Sequence, residues 1–180
     1  MTSTVRVKDR EFEPMVSEEE IALAVERIAS RIRQDYEGKD PVFLCVLNGS
    51  FIFAADLLRR TGIPCRVSFV KYASYAGTSS TQYVKNLVGL NEDLEGRDVI
   101  IVEDIVDTGL TISHLLKELA EKKPASVRIA AFCFKKEAFR ADFTIDYLGL
   151  EIPDVFVVGY GLDYDGYGRN LEGLYKILKF

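Results

Sequence analysis

Glu103, Asp104 and Asp107 are three carboxylates within five positions. They follow the aliphatic run Val99 to Val102 and precede Thr108-Gly109-Leu110-Thr111, in the stretch VIIVEDIVDTGLTI. Like charges this close repel one another, so a chain that keeps them must use them or solvate them. Carboxylates are poor partners for a phosphate but good partners for ribose hydroxyls or Mg²⁺. The residues that follow have the opposite preference. Asp107 to Thr111 links a strand end to a helix start, where backbone N–H groups and the helix dipole favour an anion. Gly109 lets the backbone approach closely, and Thr108 and Thr111 add hydroxyl donors. The combination points to a phosphorylated sugar, with its phosphate in the loop, its hydroxyls against Glu103 and Asp104, and metal nearby. A solvated acidic turn capping a helix is the competing reading. It does not account for apolar strand, paired acids, Asp-Thr-Gly and helix occurring in that order.

Other phosphate motifs do not fit. The loop lacks the G-x-x-x-x-G-K-[ST] pattern, and the glycines from Gly159 to Gly168 do not match G-x-G-x-x-G. His114 is the only histidine, so no His/Cys zinc cluster is expected and His114 reads as a helical surface or packing residue. The carboxylates must then carry any acid–base chemistry. Cys45, Cys65 and Cys133 are well separated and form no C-x-x-C. Cys45 and Cys133 lie in apolar runs and read as small buried hydrophobes, which suits a reducing, cytoplasmic compartment.

These residues need a scaffold. At 180 residues the chain suits a single domain spanning 1–180, and 48% hydrophobic with 28% charged residues is a globular composition. The formal net charge of −5, with no Lys/Arg run longer than a pair, disfavours a nucleic-acid partner. No apolar run approaches the ~20 residues of a membrane span. The start, MTSTVRVKDREFEP, is polar and charged, so no signal peptide is expected.

Ser17 with Glu20 three residues on is a capping box, and Ile21, Val25, Ile28 and Ile32 follow at helical spacing. Gly38 and Pro41 mark the turn out. VFLCVL, Val42 to Leu47, is a buried strand broken by Asn48-Gly49-Ser50. A helix then runs to Thr61-Gly62, a C-cap pattern. Cys65 to Tyr72 and Tyr83 to Leu90 read as strands around a small, polar, glycine-containing loop, 73–82. Val99 to Val102 is the next strand, Thr111 to Lys122 a helix ended by Pro124, and Val127 to Phe134 another buried strand. Lys135 to Tyr147 reads as irregular, Val155 to Val158 as a short strand, and GYGLDYDGYGR as a loop before an apolar tail. Strands apolar on both faces, alternating with helices, predict an α/β fold with a mostly parallel central sheet flanked by helices. Ligands of such sheets bind beyond the carboxyl ends of the strands, which places Asn48-Gly49, Glu103-Asp104, Lys135 and the Gly159 loop along one rim.

VIIVEDIVDTGLT resembles the phosphoribosyl-diphosphate-binding motif of the purine and pyrimidine phosphoribosyltransferases. The Glu-Asp-x-x-Asp-Thr-Gly form is closest to the hypoxanthine(-guanine) subfamily. LNGSFIFAADL resembles that family's pyrophosphate loop and SYAGT its flexible Ser-Tyr lid. FKK and EIPDVFVVGYGLDYDGYGRNL resemble its purine-binding and C-terminal segments. These matches run in the family's order from Val42 to Leu171. The resemblance implies the type I phosphoribosyltransferase fold, with a small hood formed by C-terminal and N-terminal segments. It implies a flexible active-site lid at 73–82 and a purine-binding hood region at 135–180.

The implied reaction joins a 6-oxopurine, hypoxanthine and with it guanine, to 5-phosphoribosyl 1-diphosphate, giving IMP or GMP and pyrophosphate, with Mg²⁺ as cofactor. Glu103 and Asp104 match ribose-binding residues, directly or through Mg²⁺. Asp107 matches the catalytic acid/base beside purine N7, and Asp107, Thr108, Gly109, Leu110 and Thr111 match the 5-phosphate cradle. Lys135 matches the donor to purine O6; an ammonium only donates, so it favours a 6-oxo over a 6-amino group. Phe156 and Val157 match base-stacking and purine-edge residues. Asp163 matches a purine-binding residue and a Mg²⁺ ligand on the pyrophosphate side. Leu47, Asn48, Gly49 and Arg169 match pyrophosphate contacts, arginine being suited by its bidentate, permanent charge. The peptide Leu47-Asn48 stands where the family can have a cis bond. Many members carry a basic residue in place of Asn48, so pyrophosphate binding here is expected to lean more on backbone and Mg²⁺. Ser74 and Tyr75 match the lid, although the residues after them depart from the family pattern. A homodimer or homotetramer is implied as well. Two other readings are a nucleotide-sensing regulator on the same fold and a receiver-like signalling domain. The acidic charge and the intact Asp107-Lys135-Phe156-Asp163 set disfavour the first. The second lacks a phospho-accepting Asp on a separate strand.

Overall fold

The computed structural model describes residues 4–74, 84–90 and 92–178. Its elements in order are β1 (Val5–Val7), β2 (Arg10–Val16), α1 (Glu18–Asp35), β3 (Val42–Leu47), α2 (Phe51–Thr61), β4 (Arg66–Ser74), β5 (Val84–Val88), β6 (Asp98–Val106), α3 (Leu110–Glu121), β7 (Ser126–Phe134), β8 (Tyr147–Glu151), β9 (Val157–Val158) and β10 (Leu174–Ile177). The large sheet has the order β5-β4-β3-β6-β7-β8. β4, β3, β6, β7 and β8 are parallel, and β5 returns antiparallel along β4. The α/β class and the mostly parallel sheet are as expected.

Alternation along the strands explains why both faces are covered. Phe43 and Cys45 of β3 join Ile100, Val102, Ala130 and Phe132 in a core closed by Ile21, Val25, Ile28 and Ile32 of α1 and by α2. Val42, Leu44 and Val46 point the other way, into a core with Ile101, Ala131 and Ile112, Leu115 and Leu119 of α3. Burying each such aliphatic side chain contributes about 1.5–3 kcal/mol. The start of α1 is set by its capping box: the Glu20 N–H donates to Ser17 Oγ, and the Ser17 N–H donates to the Glu20 carboxylate at 2.9 Å. Gly62 ends α2 in the left-handed conformation that favours glycine.

Three features differ from the sequence reading. The stretch after Lys135 ends in a further strand, β8, on the edge of the large sheet. Gly149 within it faces the Phe132 carbonyl so closely that a β-carbon would collide, and its own carbonyl accepts from Arg27 of α1. Of Val155 to Val158, only Val157–Val158 forms ladder pairs. The charged N-terminal segment, to which the sequence reading assigned no strands, forms two: β1 and β2 pair, and β2 pairs with β10 in a second, antiparallel sheet of order β1-β2-β10-β9. Pro14 is tolerated in β2 because the register shifts beside it, where Leu174 opposes Val16 and Tyr175 opposes Pro14. This small sheet, built from both chain ends around Phe12 and Val158, is the expected hood. The lid expected at 73–82 lies outside the described residues beyond Ser74, so Tyr75 is not described; Ser74 closes β4 opposite Val84. Among the described residues no helix is long and apolar enough to cross a membrane.

Candidate active site

β3, β6 and β7 lie side by side and parallel, so their carboxyl ends open on one rim. β6 delivers Glu103 and Asp104 there and then the loop into α3. Both carboxylates are nearly buried. Burial pushes the Glu103 carboxyl well above its ordinary value, and the adjacent Asp104 charge acts in the same direction. Burial raises Asp104 as well, against an opposing pull first from its side-chain hydrogen bond with Glu103, then from its Ile105 N–H bond at 2.7 Å and from the Arg169 charge. Glu103 Oε2 is buried with no hydrogen-bond partner in the described structure. A buried carboxylate oxygen without a donor suits a hard cation or a hydroxyl ligand. No group of three or more acidic, His or Cys residues forms a metal cage among the described residues.

The loop after β6 is shaped by what lies beneath it. Gly109 is the N-cap of α3 in the left-handed conformation, φ 86°. A β-carbon there would sit 2.7 Å from the Ala141 β-carbon and 2.8 Å from the Phe139 ring. The segment read as irregular therefore folds back as a platform: the Arg140 N–H donates to the Thr108 carbonyl at 3.2 Å, and Phe139 stacks edge-on between Phe134 and Phe143. The Leu110 N–H faces Thr108 Oγ1 at 3.5 Å. Glu103, Asp107, Thr108, Gly109 and Thr111 line a cavity of about 90 Å³ at the start of α3, where helix N–H groups have no intrahelical acceptor.

Lys135 arrives from the neighbouring strand. Its N–H donates to the Val106 carbonyl at 2.9 Å, which continues the β6–β7 pairing and sets its side chain beside Asp107. Nζ donates to Asp107 Oδ2 at 3.1 Å and forms an ion pair with Asp154 Oδ1 at 3.3 Å. Phe156, two residues beyond Asp154, packs with Phe12 and Tyr164 at centroid distances of 6.4 and 6.0 Å. Val157 is buried and pairs with Lys176 of β10.

The residues matched to pyrophosphate contacts meet through glycines. The Leu47-Asn48 peptide is cis. Asn48 is exposed and Gly49 buried, and a β-carbon on Gly49 would fall on the Asp104 carboxylate. A β-carbon on Gly161, φ 100°, would strike the Gly49 carbonyl. The Gly161 N–H donates to the Arg169 carbonyl at 2.9 Å, and Arg169 Nη1 returns a bond to the Gly161 carbonyl at 2.6 Å. Arg169 also pairs with Asp163 Oδ1 at 2.6 Å, while Asp163 Oδ2 accepts from the Gly166 N–H at 2.6 Å. Asp163 and Arg169 are thus tied to each other, and Gly161 links that pair to Gly49 and Asp104.

Asp154, Gly161 and the Phe139–Phe143 platform escaped the sequence reading. Only the Pro153-Asp154 step and the positive-φ glycines hint at them. His114 is a packing residue, as expected. It meets Glu118 at 3.1 Å, and Glu118 also accepts from the Tyr72 hydroxyl at 2.7 Å. Cys45 and Cys133 are buried free thiols, the first pushed by burial to about 12.

A phosphoribosyl transferase domain model matches residues 15–165 of the chain. The hypoxanthine-guanine phosphoribosyltransferase of Aquifex aeolicus is 38% identical over 173 residues, covering 95% of this chain and 97% of that protein. The crystal structure of a hypoxanthine-guanine phosphoribosyltransferase from Bacillus anthracis, with HEPES in its active site, has a TM-score of 0.86 and 36% identity, covering 92% of this chain and 96% of its own. A hypoxanthine phosphoribosyltransferase variant from Trypanosoma cruzi, complexed with its product IMP, has a TM-score of 0.85 and 36% identity, with 96% and 93% covered.

Proposed function

This chain belongs to the phosphoribosyltransferase family, and from that premise we infer that it joins hypoxanthine, and guanine, to 5-phosphoribosyl 1-diphosphate to form IMP or GMP and pyrophosphate. It is a glycosyltransferase of purine salvage. The observation that carries the reading is the meeting of Lys135 and Asp107, 3.1 Å apart, beside the loop that opens α3. A base-reading donor, an acid/base group and an anion cradle then share one rim of the sheet.

In this division of labour the 107–111 loop holds the 5-phosphate with backbone N–H groups and hydroxyls. Glu103 and Asp104 face the ribose hydroxyls. Lys135 donates to the purine O6, Phe156 covers the face of the ring, and the Val157 backbone meets its edge. Asp107 exchanges a proton with purine N7 as the bond from ribose carbon to purine nitrogen forms and the bond to pyrophosphate breaks. The turn at Leu47-Asn48-Gly49 and Arg169 receive the departing pyrophosphate. Mg²⁺ suits Glu103 and Asp104 on the ribose side and Asp163 on the pyrophosphate side. When bound it supplies positive charge against the diphosphate. Ser74 and Tyr75 belong to a lid that excludes water.

The enzyme is proposed to act in the cytoplasm as a homodimer or homotetramer, with no nucleic-acid or membrane partner. The test is direct: incubate purified protein with Mg²⁺, 5-phosphoribosyl 1-diphosphate and each of hypoxanthine, guanine, xanthine and adenine, and follow nucleotide formation. IMP and GMP are the expected products. Nucleotide from adenine alone, or from no base, would overturn the reading. Light scattering on the same sample reads the assembly.

A further inference from the structure

We propose that Asp154 is a positioning residue for base selection, holding the Lys135 ammonium in the direction from which it reads the purine 6-substituent. The inference rests on the reading of Lys135 as the O6 donor and goes beyond it by asking what aims that donor. The Lys135 side chain is only 10% exposed, and its Nζ stands between two carboxylates, Asp107 at 3.1 Å and Asp154 at 3.3 Å. An ammonium has three N–H donors and no acceptor. With two acids holding it from two sides, the remaining donor has one direction left. Among the described residues, Asp107 and Asp154 are the hydrogen-bond and ion-pair partners of Nζ.

Asp154 itself sits on a short, well-anchored segment. Just before it, the Ile152 N–H donates to the Phe134 carbonyl at 2.9 Å, and just after it the Val155 N–H donates to the Pro153 carbonyl at 2.8 Å. The same segment then supplies Phe156 and Val157. One ion pair thus ties the segment that covers the base to the side chain that reads it. Asp107 alone cannot fix that aim, because a single acceptor leaves a flexible four-carbon ammonium free to rotate about one bond. Asp107 also has a second task at purine N7, so the fixed anchor falls to Asp154.

Three variants test this: Asp154→Asn, Asp154→Glu and Lys135→Ala. In Asp154→Asn we expect the KM for hypoxanthine to rise roughly three- to tenfold while kcat and the KM for 5-phosphoribosyl 1-diphosphate move by less than about twofold, the scale of a half-exposed ion pair. The preference for hypoxanthine over adenine should narrow in parallel, and Asp154→Glu should recover part of both losses. A merely structural role would instead move both KM values and the melting temperature together, and that result would overturn the proposal. So would an unchanged hypoxanthine KM in Asp154→Asn when Lys135→Ala raises it strongly, an outcome that leaves the O6 reading intact. If Lys135→Ala itself leaves hypoxanthine use untouched, the O6 reading fails and takes this proposal with it.

Discussion

Gly49 lies so close to Asp104 that a β-carbon on the glycine would fall on the carboxylate. The contact joins the turn after β3 to the end of β6. It puts the turn proposed to receive pyrophosphate directly against an acid proposed to face the ribose. Gly49→Ala should therefore displace Asp104 rather than unfold the chain, at a cost of about 1–3 kcal/mol for overpacking. We expect kcat/KM for 5-phosphoribosyl 1-diphosphate to fall by roughly 10²-fold or more, since an ångström of misplacement is enough. Steady-state kinetics alongside a thermal melt check this. Full activity would show that the carboxylate can move without consequence.

Asp107 carries the proton transfer in the proposed mechanism. Asp107→Asn keeps the size of the side chain and its ability to accept from Lys135, but removes the base. Turnover should drop by roughly 10²-fold or more. The circular dichroism spectrum should be unchanged, because Asp107 is half-exposed and lies outside both cores. A folded variant that turns over normally would end its assignment as acid/base.

Glu103 supplies a pH dependence whose sign can be stated. Its carboxyl is raised by burial and by Asp104 above the ordinary value of 4.5. A group raised in the folded state contributes stability that is fully present below its unfolded value and is lost as pH rises through its folded value. Metal-free protein should thus lose stability from 4.5 upward through this group. Glu103→Gln should remove that loss. The gap in melting temperature, variant minus parent, should grow as the pH is raised above 4.5, and added Mg²⁺ should close it by stabilising the parent. A gap that stays constant over this range would mean that Glu103 does not titrate there.

Tyr72 and His114 both face Glu118, which joins β4 to α3 across the sheet surface. Tyr72→Phe deletes one hydroxyl and leaves the ring contact with His114 in place. The lost bond should cost about 1 kcal/mol, the usual net contribution of a single hydrogen bond. Urea unfolding followed by fluorescence measures it. No change in midpoint would mark the bond as fully exchangeable with water.

Much of the scaffold was legible because its signals are local. Ser17 and Glu20 announce a helix start three residues apart, Gly62 announces an end, and the runs Val42 to Leu47 and Val99 to Val102 announce strands buried on both faces. The strand missed at Tyr147–Glu151 carries a glycine where a side chain would strike Phe132, so its pattern is interrupted for a reason that lies on another strand. β2 was missed because Glu11, Glu13 and Pro14 give it a polar, broken pattern. Only its partner β10, far along the chain, makes it a strand.

The site divides along the same line. By itself the chain determined its chemical groups: the paired acids, the Asp-Thr-Gly loop on a helix start, the lysine after a buried strand, and through them a family and a reaction. Tertiary structure alone decided who touches whom. Lys135 reaches Asp107 across 28 positions because β6 and β7 are adjacent and in register. Gly161 reaches Gly49, Asp154 reaches Lys135, and Phe139 supports Gly109 because strand order brings their loops to one rim. Local backbone preferences are written in neighbouring residues, whereas convergence depends on long-range pairing, for which no single stretch of sequence carries the signal.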